Sequence, residues 1–282
     1  MNRSGLLVRC LAMALAIASH PAAAQGQSDP NLELANEVIV VPLAGRSMSA
    51  LVTHQPGASK FTHAIALFPG SPGVMNIRAE DGRIRYDLGG NFLVRARRHF
   101  IEEGILTVAL DAPTDQYPNF YQAFRETPRY GEDVKAIVDA VTKKFGTLDW
   151  TFIGTSEGSV SAVHAARLVP GAANRVALTA SVVSPSGRGR GIEVSDVRAI
   201  AVPVLWVHHR DDPCKYTQYS RVRSYAEQTK SPLVSVSGAG QPRGDPCQAF
   251  TQHGFVGMEV KTVKAMLAWI RSGQVPPDIT DQ

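Results

Sequence analysis

The chain has 282 residues, of which 44% are hydrophobic and 19% are charged, and its formal net charge is +4. This is the composition of a globular protein that can bury a full hydrophobic core. Lys and Arg residues form no run interleaved with aromatic residues, which excludes the usual sequence pattern of a nucleic-acid-binding protein.

The N-terminal residues have the three parts of a secretory signal peptide. Arg3 and Arg9 form a basic region, residues 11–19 are mostly apolar, and a run of three alanines that ends at Ala24 has the small side chains of a cleavage site. The apolar run is too short for a permanent membrane anchor. We therefore expect cleavage after Ala24, a secreted protein with the periplasm as its compartment, and one mature domain of residues 25–282.

The first elements of the mature chain have strand patterns. Residues 37–43 and 48–53 flank a short polar turn that contains Gly45, which predicts a β-hairpin. The continuous apolar run 63–68 predicts a strand that is buried on both faces. A Pro- and Gly-rich loop follows it, and then a polar insertion at residues 75–90.

From residue 91 onward, amphipathic helical patterns alternate with short apolar strands. The predicted helices are 91–103, 130–145, 157–169, 216–228 and 256–270. The predicted strands are 105–110, 150–155, 175–183, 202–208 and 233–237. This alternation predicts a mostly parallel, twisted sheet with helices on both faces. The Gly-rich segment 186–191 is expected to be a flexible loop in which Arg188 and Arg190 face solvent.

The strand at 150–155 ends in the motif Gly154-Thr155-Ser156-Glu157-Gly158, and a helix follows at once. A serine hydroxyl is a weak nucleophile unless it is exposed and lies beside a base. A sharp strand-to-helix turn exposes the serine, and the flanking glycines leave room for the neighbouring backbone. Ser156 is therefore the candidate nucleophile, and a serine in an ordinary turn is the alternative.

With this motif in this order of elements, the mature chain resembles an α/β-hydrolase. The resemblance implies an acid after a later strand and a histidine before the last helix. The residues from His208 to Asp212 are similar to the family pattern His-Gly-x-x-Asp, with His209 where glycine is commoner. This alignment places the acid at Asp212, with Asp211 as the alternative. The segment Gln252-His253-Gly254-Phe255 resembles the loop of the family's catalytic histidine, which makes His253 the candidate base.

The resemblance also implies two backbone donors that bind the oxyanion. One is the N–H of Glu157, which follows the nucleophile. The other comes from the loop after the strand at 63–68, where Pro69 and Pro72 have no N–H, so that Gly70 and Ser71 remain. By its position we select Ser71.

Removal of the signal peptide leaves two cysteines, Cys214 and Cys247. An even number of cysteines in an exported protein favours a disulfide, and two free thiols are the alternative. Cys214 follows the candidate acid and Cys247 precedes His253, so a disulfide between them would join the acid loop to the histidine loop.

The resemblance thus implies an α/β-hydrolase fold and a serine hydrolase, most specifically a carboxylic-ester hydrolase with an acyl-enzyme intermediate. The expected partner is a small-molecule or polymeric ester, without a cofactor. No metal site is expected at His208 and His209, because adjacent strand residues point to opposite faces. The short interval 183–202 predicts that there is no helical cap domain. A peptidase or amidase of the same fold and a non-catalytic binding protein on this scaffold are the alternatives.

Overall fold

A computed structural model describes residues 33–281, so the predicted signal peptide (1–24) lies outside the described residues. Eight strands form one sheet in the spatial order β1-β2-β6-β3-β7-β8-β9-β10, and β4 pairs with β5 in a separate hairpin. The strands are β1 Ala35–Leu43, β2 Arg46–His54, β3 His63–Phe68, β4 Arg78–Glu80, β5 Arg83–Arg85, β6 Ile105–Leu110, β7 Asp149–Thr155, β8 Arg175–Thr179, β9 Val204–His209 and β10 Leu233–Val236.

The sheet is antiparallel at one edge and parallel elsewhere. β2 pairs in antiparallel orientation with both β1 and β6, whereas the strands from β6 to β10 pair in parallel. The central strands β3 and β6 are apolar along almost their whole length because both faces of the sheet are covered. Because β3, β6, β7, β8 and β9 are parallel, their carboxyl ends lie at one edge of the sheet, where the loops that follow them meet.

In residues 33–281, seven α-helices connect or flank these strands. They are α1 Phe92–Ala96, α2 Gln122–Arg125, α3 Pro128–Phe145, α4 Glu157–Leu168, α5 Val194–Arg198, α6 Tyr219–Thr229 and α7 Glu259–Ser272. The longest, α3, begins at the N-cap Thr127, has Pro128 in its first turn and ends at Gly146. Within residues 33–281, no helix has both the length and the apolarity that a membrane span needs.

The two faces of the sheet carry separate hydrophobic cores. Apolar residues of α3, α4, α5 and α6 pack on one face, and those of α1 and α7 pack on the other. This arrangement confirms the predicted fold class of a mostly parallel sheet with helices on both faces. Between β8 and β9 the chain contains α5, which has five residues, and no helical cap domain.

Two predicted elements are shorter in the structure by at least four residues, whereas the other boundaries differ less. The predicted strand 175–183 ends at Thr179, because Ala180 has a φ of +41° and turns the chain out of the sheet. The predicted helix 91–103 ends at Ala96 and continues as a 3₁₀ turn, Arg97–Phe100. After Thr179 the apolar pattern continues past the strand because the following segment, 180–183, is itself buried.

Candidate active site

Ser156 lies at the turn between β7 and α4, with a φ of +52° and a ψ of −128°. For a residue other than glycine this backbone conformation costs about 1–3 kcal/mol, so contacts with the surrounding backbone have to maintain it. The flanking glycines allow this close packing. A Cβ atom on Gly154 would lie 2.3 Å from the carbonyl oxygen of Gly158, and one on Gly158 would lie 1.9 Å from that of Phe68. Gly154 is therefore required by the contact between β7 and the start of α4, and Gly158 by the contact between α4 and the end of β3.

Asp212, and not Asp211, faces His253. Its Oδ2 atom lies 3.1 Å from Nδ1 of His253, and its side chain is fully buried, whereas Asp211 is exposed. The same carboxylate accepts hydrogen bonds from the Cys214 backbone N–H at 2.9 Å and from the Thr217 hydroxyl at 2.8 Å. Three hydrogen bonds thus orient Asp212. Thr217 belongs to no motif, so its role is visible only in the structure.

The surroundings of Asp212 favour its ionised form. Burial alone would raise the pKa of this carboxyl, but the hydrogen bond from His253 and the electrostatic interaction with its ring outweigh burial, and the Cys214 N–H adds to their effect. The pKa of Asp212 therefore lies below its usual value. An ionised carboxylate at Nδ1 fixes the proton of His253 on that nitrogen and leaves Nε2 as the proton acceptor.

The two histidines at the end of β9 have different partners. The Ser181 backbone N–H donates to Nε2 of His208 at 2.5 Å, and burial lowers the pKa of His208 to about 4, so this ring is neutral at pH 7. His209 accepts from the Asp211 N–H at 3.1 Å and lies 2.5 Å from the carbonyl oxygen of Gly238. His209, where the family pattern commonly has glycine, thus stabilises the turn that leads into the acid.

Cys214 and Cys247 form the predicted disulfide, which closes a sequence separation of 33 residues. Cys214 is buried directly behind Asp212, and Cys247 is exposed and lines the cleft that contains Ser156. The disulfide therefore joins the acid loop to the loop that presents His253, as the sequence predicted.

Ser156, Ser71 and His253 line one cleft of about 360 Å³. Most of its other walls come from segments to which the sequence pattern assigns no role, namely the insertion before α1, the start of α1 and the loop before His253. These segments contribute Leu88, Gly90, Asn91, Phe92, Ala249 and Phe250. Such residues have no motif, because it is the fold that brings the insertion and the histidine loop together.

Glu157 follows Ser156, and its side chain is almost fully buried. Its Oε1 atom accepts a hydrogen bond from Nε2 of Gln122 at 2.9 Å. The side-chain oxygen Oε1 of Gln122 in turn accepts one from the Gly191 N–H at 2.7 Å. Arg125 is completely buried beside them and contacts the Ser161 hydroxyl and the Phe120 ring. This polar network holds the first turn of α4, and thereby the backbone N–H of Glu157.

The loop 186–191 is anchored, so the expectation that its arginines face solvent is wrong. Arg188 donates to the Phe120 carbonyl oxygen at 2.9 Å, and its guanidinium lies 4.8 Å from the centre of the Tyr121 ring. Arg190 forms an ion pair of 2.6 Å with Asp196. The acceptor of Arg188 lies 68 residues away in the chain, which is why the local composition suggested a free loop.

No family model and no curated protein matches this chain. Several solved structures do. Est1E from Butyrivibrio proteoclasticus has 16% sequence identity and a TM-score of 0.56, over 83% of this chain and 99% of that chain. The dienelactone hydrolase from Anabaena variabilis has 13% identity and a TM-score of 0.57, over 85% and 98%. A serine hydrolase without a lid from Xanthomonas campestris has 14% identity and a TM-score of 0.52, over 84% and 93%. At these identities the likeness is one of fold.

Proposed function

We propose that this chain, which has the α/β-hydrolase fold, is a serine hydrolase that cleaves carboxylic esters. The observation that carries the proposal is the hydrogen bond of 3.1 Å between Asp212 and His253, beside a cleft into which the turn at Ser156 projects. A buried acid, an imidazole and a serine on a strained turn are together the requirements for an activated nucleophile.

The mechanism follows from these positions. Nε2 of His253 accepts the hydroxyl proton of Ser156 while Oγ bonds to the ester carbonyl carbon, and Asp212 stabilises the imidazolium that forms. The carbonyl oxygen becomes an oxyanion that accepts hydrogen bonds from the backbone N–H groups of Glu157 and Ser71. Collapse breaks the bond to the alcohol oxygen, which takes the proton from His253. Water then repeats both steps on the acyl-enzyme and releases the acid.

The names of the structural neighbours support esters over amides. The structures with the same fold include proteins described as an esterase and a dienelactone hydrolase. The cleft of about 360 Å³ has apolar walls, such as Leu88 and Phe250, beside polar side chains such as Asn91 and Gln248, which suits the acyl part of a small ester or the end of a polymeric one.

The test is reaction with a fluorophosphonate, followed by peptide mapping, and parallel assays with p-nitrophenyl esters and aminoacyl anilides. We expect the label on Ser156, hydrolysis of the esters, and loss of both in Ser156→Ala. Ser220→Ala, which alters an exposed serine of α6, is the matched control and should behave as wild type. Ester hydrolysis that persists in Ser156→Ala would contradict the proposal, and anilide hydrolysis alone would indicate a peptidase.

We further propose that residues 1–24 are a signal peptide that is removed on export. The basic, apolar and small-residue parts support it, and the disulfide between Cys214 and Cys247 requires an oxidising compartment to persist. Intact mass analysis of exported protein should find an N-terminus at Gln25. An exported chain that retains Met1 would contradict this proposal.

A further inference from the structure

Asn91 lies in the cleft at the point where the insertion ends and α1 begins. It is the N-cap of α1, because its Oδ1 atom accepts the hydrogen bond from the Leu93 backbone N–H at 3.1 Å. This bond determines the orientation of the side-chain amide. With Oδ1 directed at the helix, the donor Nδ2 has to point to the other side.

On that other side are Gly70 and Ser156. A Cβ atom placed on Gly70 would lie 3.2 Å from Nδ2 of Asn91 and 3.0 Å from Cβ of Ser156, so these two atoms are at most about 6 Å apart. A serine oxygen, one substrate carbon and an oxyanion that accepts a hydrogen bond of about 2.9 Å span this distance.

In the part of the chain that the structure describes, no group accepts a hydrogen bond from Nδ2 of Asn91, although Asn91 is half-buried. A substrate oxygen in the cleft would supply the missing acceptor.

Asn91 is also held rigidly. Its backbone N–H donates to Leu88 at 2.8 Å, and its carbonyl accepts from the N–H of Arg95 at 2.9 Å. The guanidinium of Arg95 donates to the carbonyl of Gly90 at 2.7 Å and to that of Gly254 at 2.6 Å. One side chain thus fixes the residue before Asn91 and the residue after His253. Donors that are fixed before the reaction stabilise developing charge most effectively.

From this geometry we propose that Asn91 is a catalytic residue, whose side-chain Nδ2–H donates a third hydrogen bond to the oxyanion. The proposal rests on the serine hydrolase mechanism above. When Oγ of Ser156 bonds to the carbonyl carbon, the carbonyl π electrons move to oxygen and the serine proton moves to His253. The hydrogen bond from Asn91 strengthens as that negative charge develops, and it weakens again when the alcohol leaves with the proton of His253.

The closing experiment separates this role from helix capping. Ser and Asp cap helices about as well as Asn, so Asn91→Ser and Asn91→Asp retain the cap. Aspartate has no donor, and the serine hydroxyl is attached one bond closer to the backbone, so neither side chain supplies the hydrogen bond of Nδ2. The readout is the second-order rate of inactivation by a fluorophosphonate, whose phosphoryl oxygen occupies the oxyanion position in any serine hydrolase. We expect the rate to fall by about 10²-fold or more in Asn91→Ser, at an unchanged melting temperature. In Asn91→Asp the added negative charge should lower it further.

Thr127→Ala is the matched control. Thr127 is the N-cap of α3, where its hydroxyl accepts from the Tyr130 N–H at 3.3 Å, and it does not line the cleft. Its loss should lower the melting temperature and leave the inactivation rate unchanged. An equal loss of rate in this control would overturn the proposal, since the effect would then follow from capping.

An inactivation rate of Asn91→Ser or Asn91→Asp equal to that of wild type would also overturn the proposal, and Asn91 would be only a helix cap. If the wild-type protein itself is not labelled at Ser156, the serine hydrolase mechanism fails, and the role of Asn91 fails with it. The two failures are distinguishable, because wild type reacts in the first and not in the second.

Discussion

Asp211 and Asp212 are neighbours with the same side chain, but only Asp212 is buried against His253. We expect Asp212→Asn to lower kcat for an ester substrate by about 10⁴-fold, because the amide places the imidazole in the wrong tautomer. Asp211→Asn is the control and should leave kcat within about twofold of wild type, since surface substitutions have small effects. Steady-state kinetics of both variants check this, and a larger loss in Asp211→Asn would contradict the assignment.

Arg95, unlike Asp212, has a role that only the structure reveals. It bonds to the carbonyls of Gly90 and Gly254 and forms an ion pair of 2.8 Å with Glu259. Arg95→Met retains the length of the side chain but removes these bonds. We expect a loss of about 2–3 kcal/mol in the free energy of unfolding. We also expect a decrease of roughly tenfold or more in kcat, because small displacements of catalytic groups are costly.

Urea unfolding and ester kinetics measure the two effects of Arg95→Met. Arg85→Met is the matched control, because Arg85 pairs with Glu80 on the exposed hairpin of the insertion, with about half of both side chains accessible. An exposed pair of this kind contributes only about 0–1 kcal/mol. Equal effects of the two substitutions would show that Arg95 has no special role.

At the scale of elements, the disulfide is the only covalent bond between the loops of Asp212 and His253 in residues 33–281. In the chain-entropy model, a closed loop of 33 residues contributes about 3–4 kcal/mol to stability. We expect the double substitution Cys214→Ala and Cys247→Ala to lose about this free energy of unfolding. Activity should fall as well, because the distance between acid and base is then less constrained.

Denaturant unfolding of the double variant, with wild type measured in the same buffer with and without a reductant, checks this prediction. Reduced wild type should resemble the double variant in both stability and activity. If reduction or substitution changes stability but leaves kcat at its wild-type value, the disulfide supports the fold and does not position the site.

The elements also show what the sequence can predict. β3 and β6 begin and end as predicted, because a strand that is buried on both faces of the sheet is apolar from its first residue to its last. Ser156 was predictable because its motif is local. Asn91 was not, because its proposed role depends on contacts with Gly70 and Arg95 that arise only when the insertion folds against the sheet. The same holds for Arg188, whose acceptor on Phe120 is 68 residues away.

At the scale of the whole molecule, two buried histidines make stability depend on pH. His164 and His208 are fully buried, and burial lowers the pKa of each to about 4. In the unfolded chain both titrate near about 6.5. Their contribution to stability is therefore complete above about pH 6.5, and it decreases as the pH falls toward 4, since only the unfolded state binds the protons in this interval.

We therefore expect the free energy of unfolding to fall between pH 6.5 and 4 by about 1.4 kcal/mol per pH unit for each of these histidines. Urea titrations at a series of pH values measure this slope. His208→Gln keeps an acceptor for the Ser181 N–H, and His164→Asn keeps one for Arg167. Each substitution should therefore lower the slope by about 1.4 kcal/mol per pH unit. A slope that neither substitution reduces would mean that the protons bind to other groups, and that these two rings are not the reason why acid destabilises the fold.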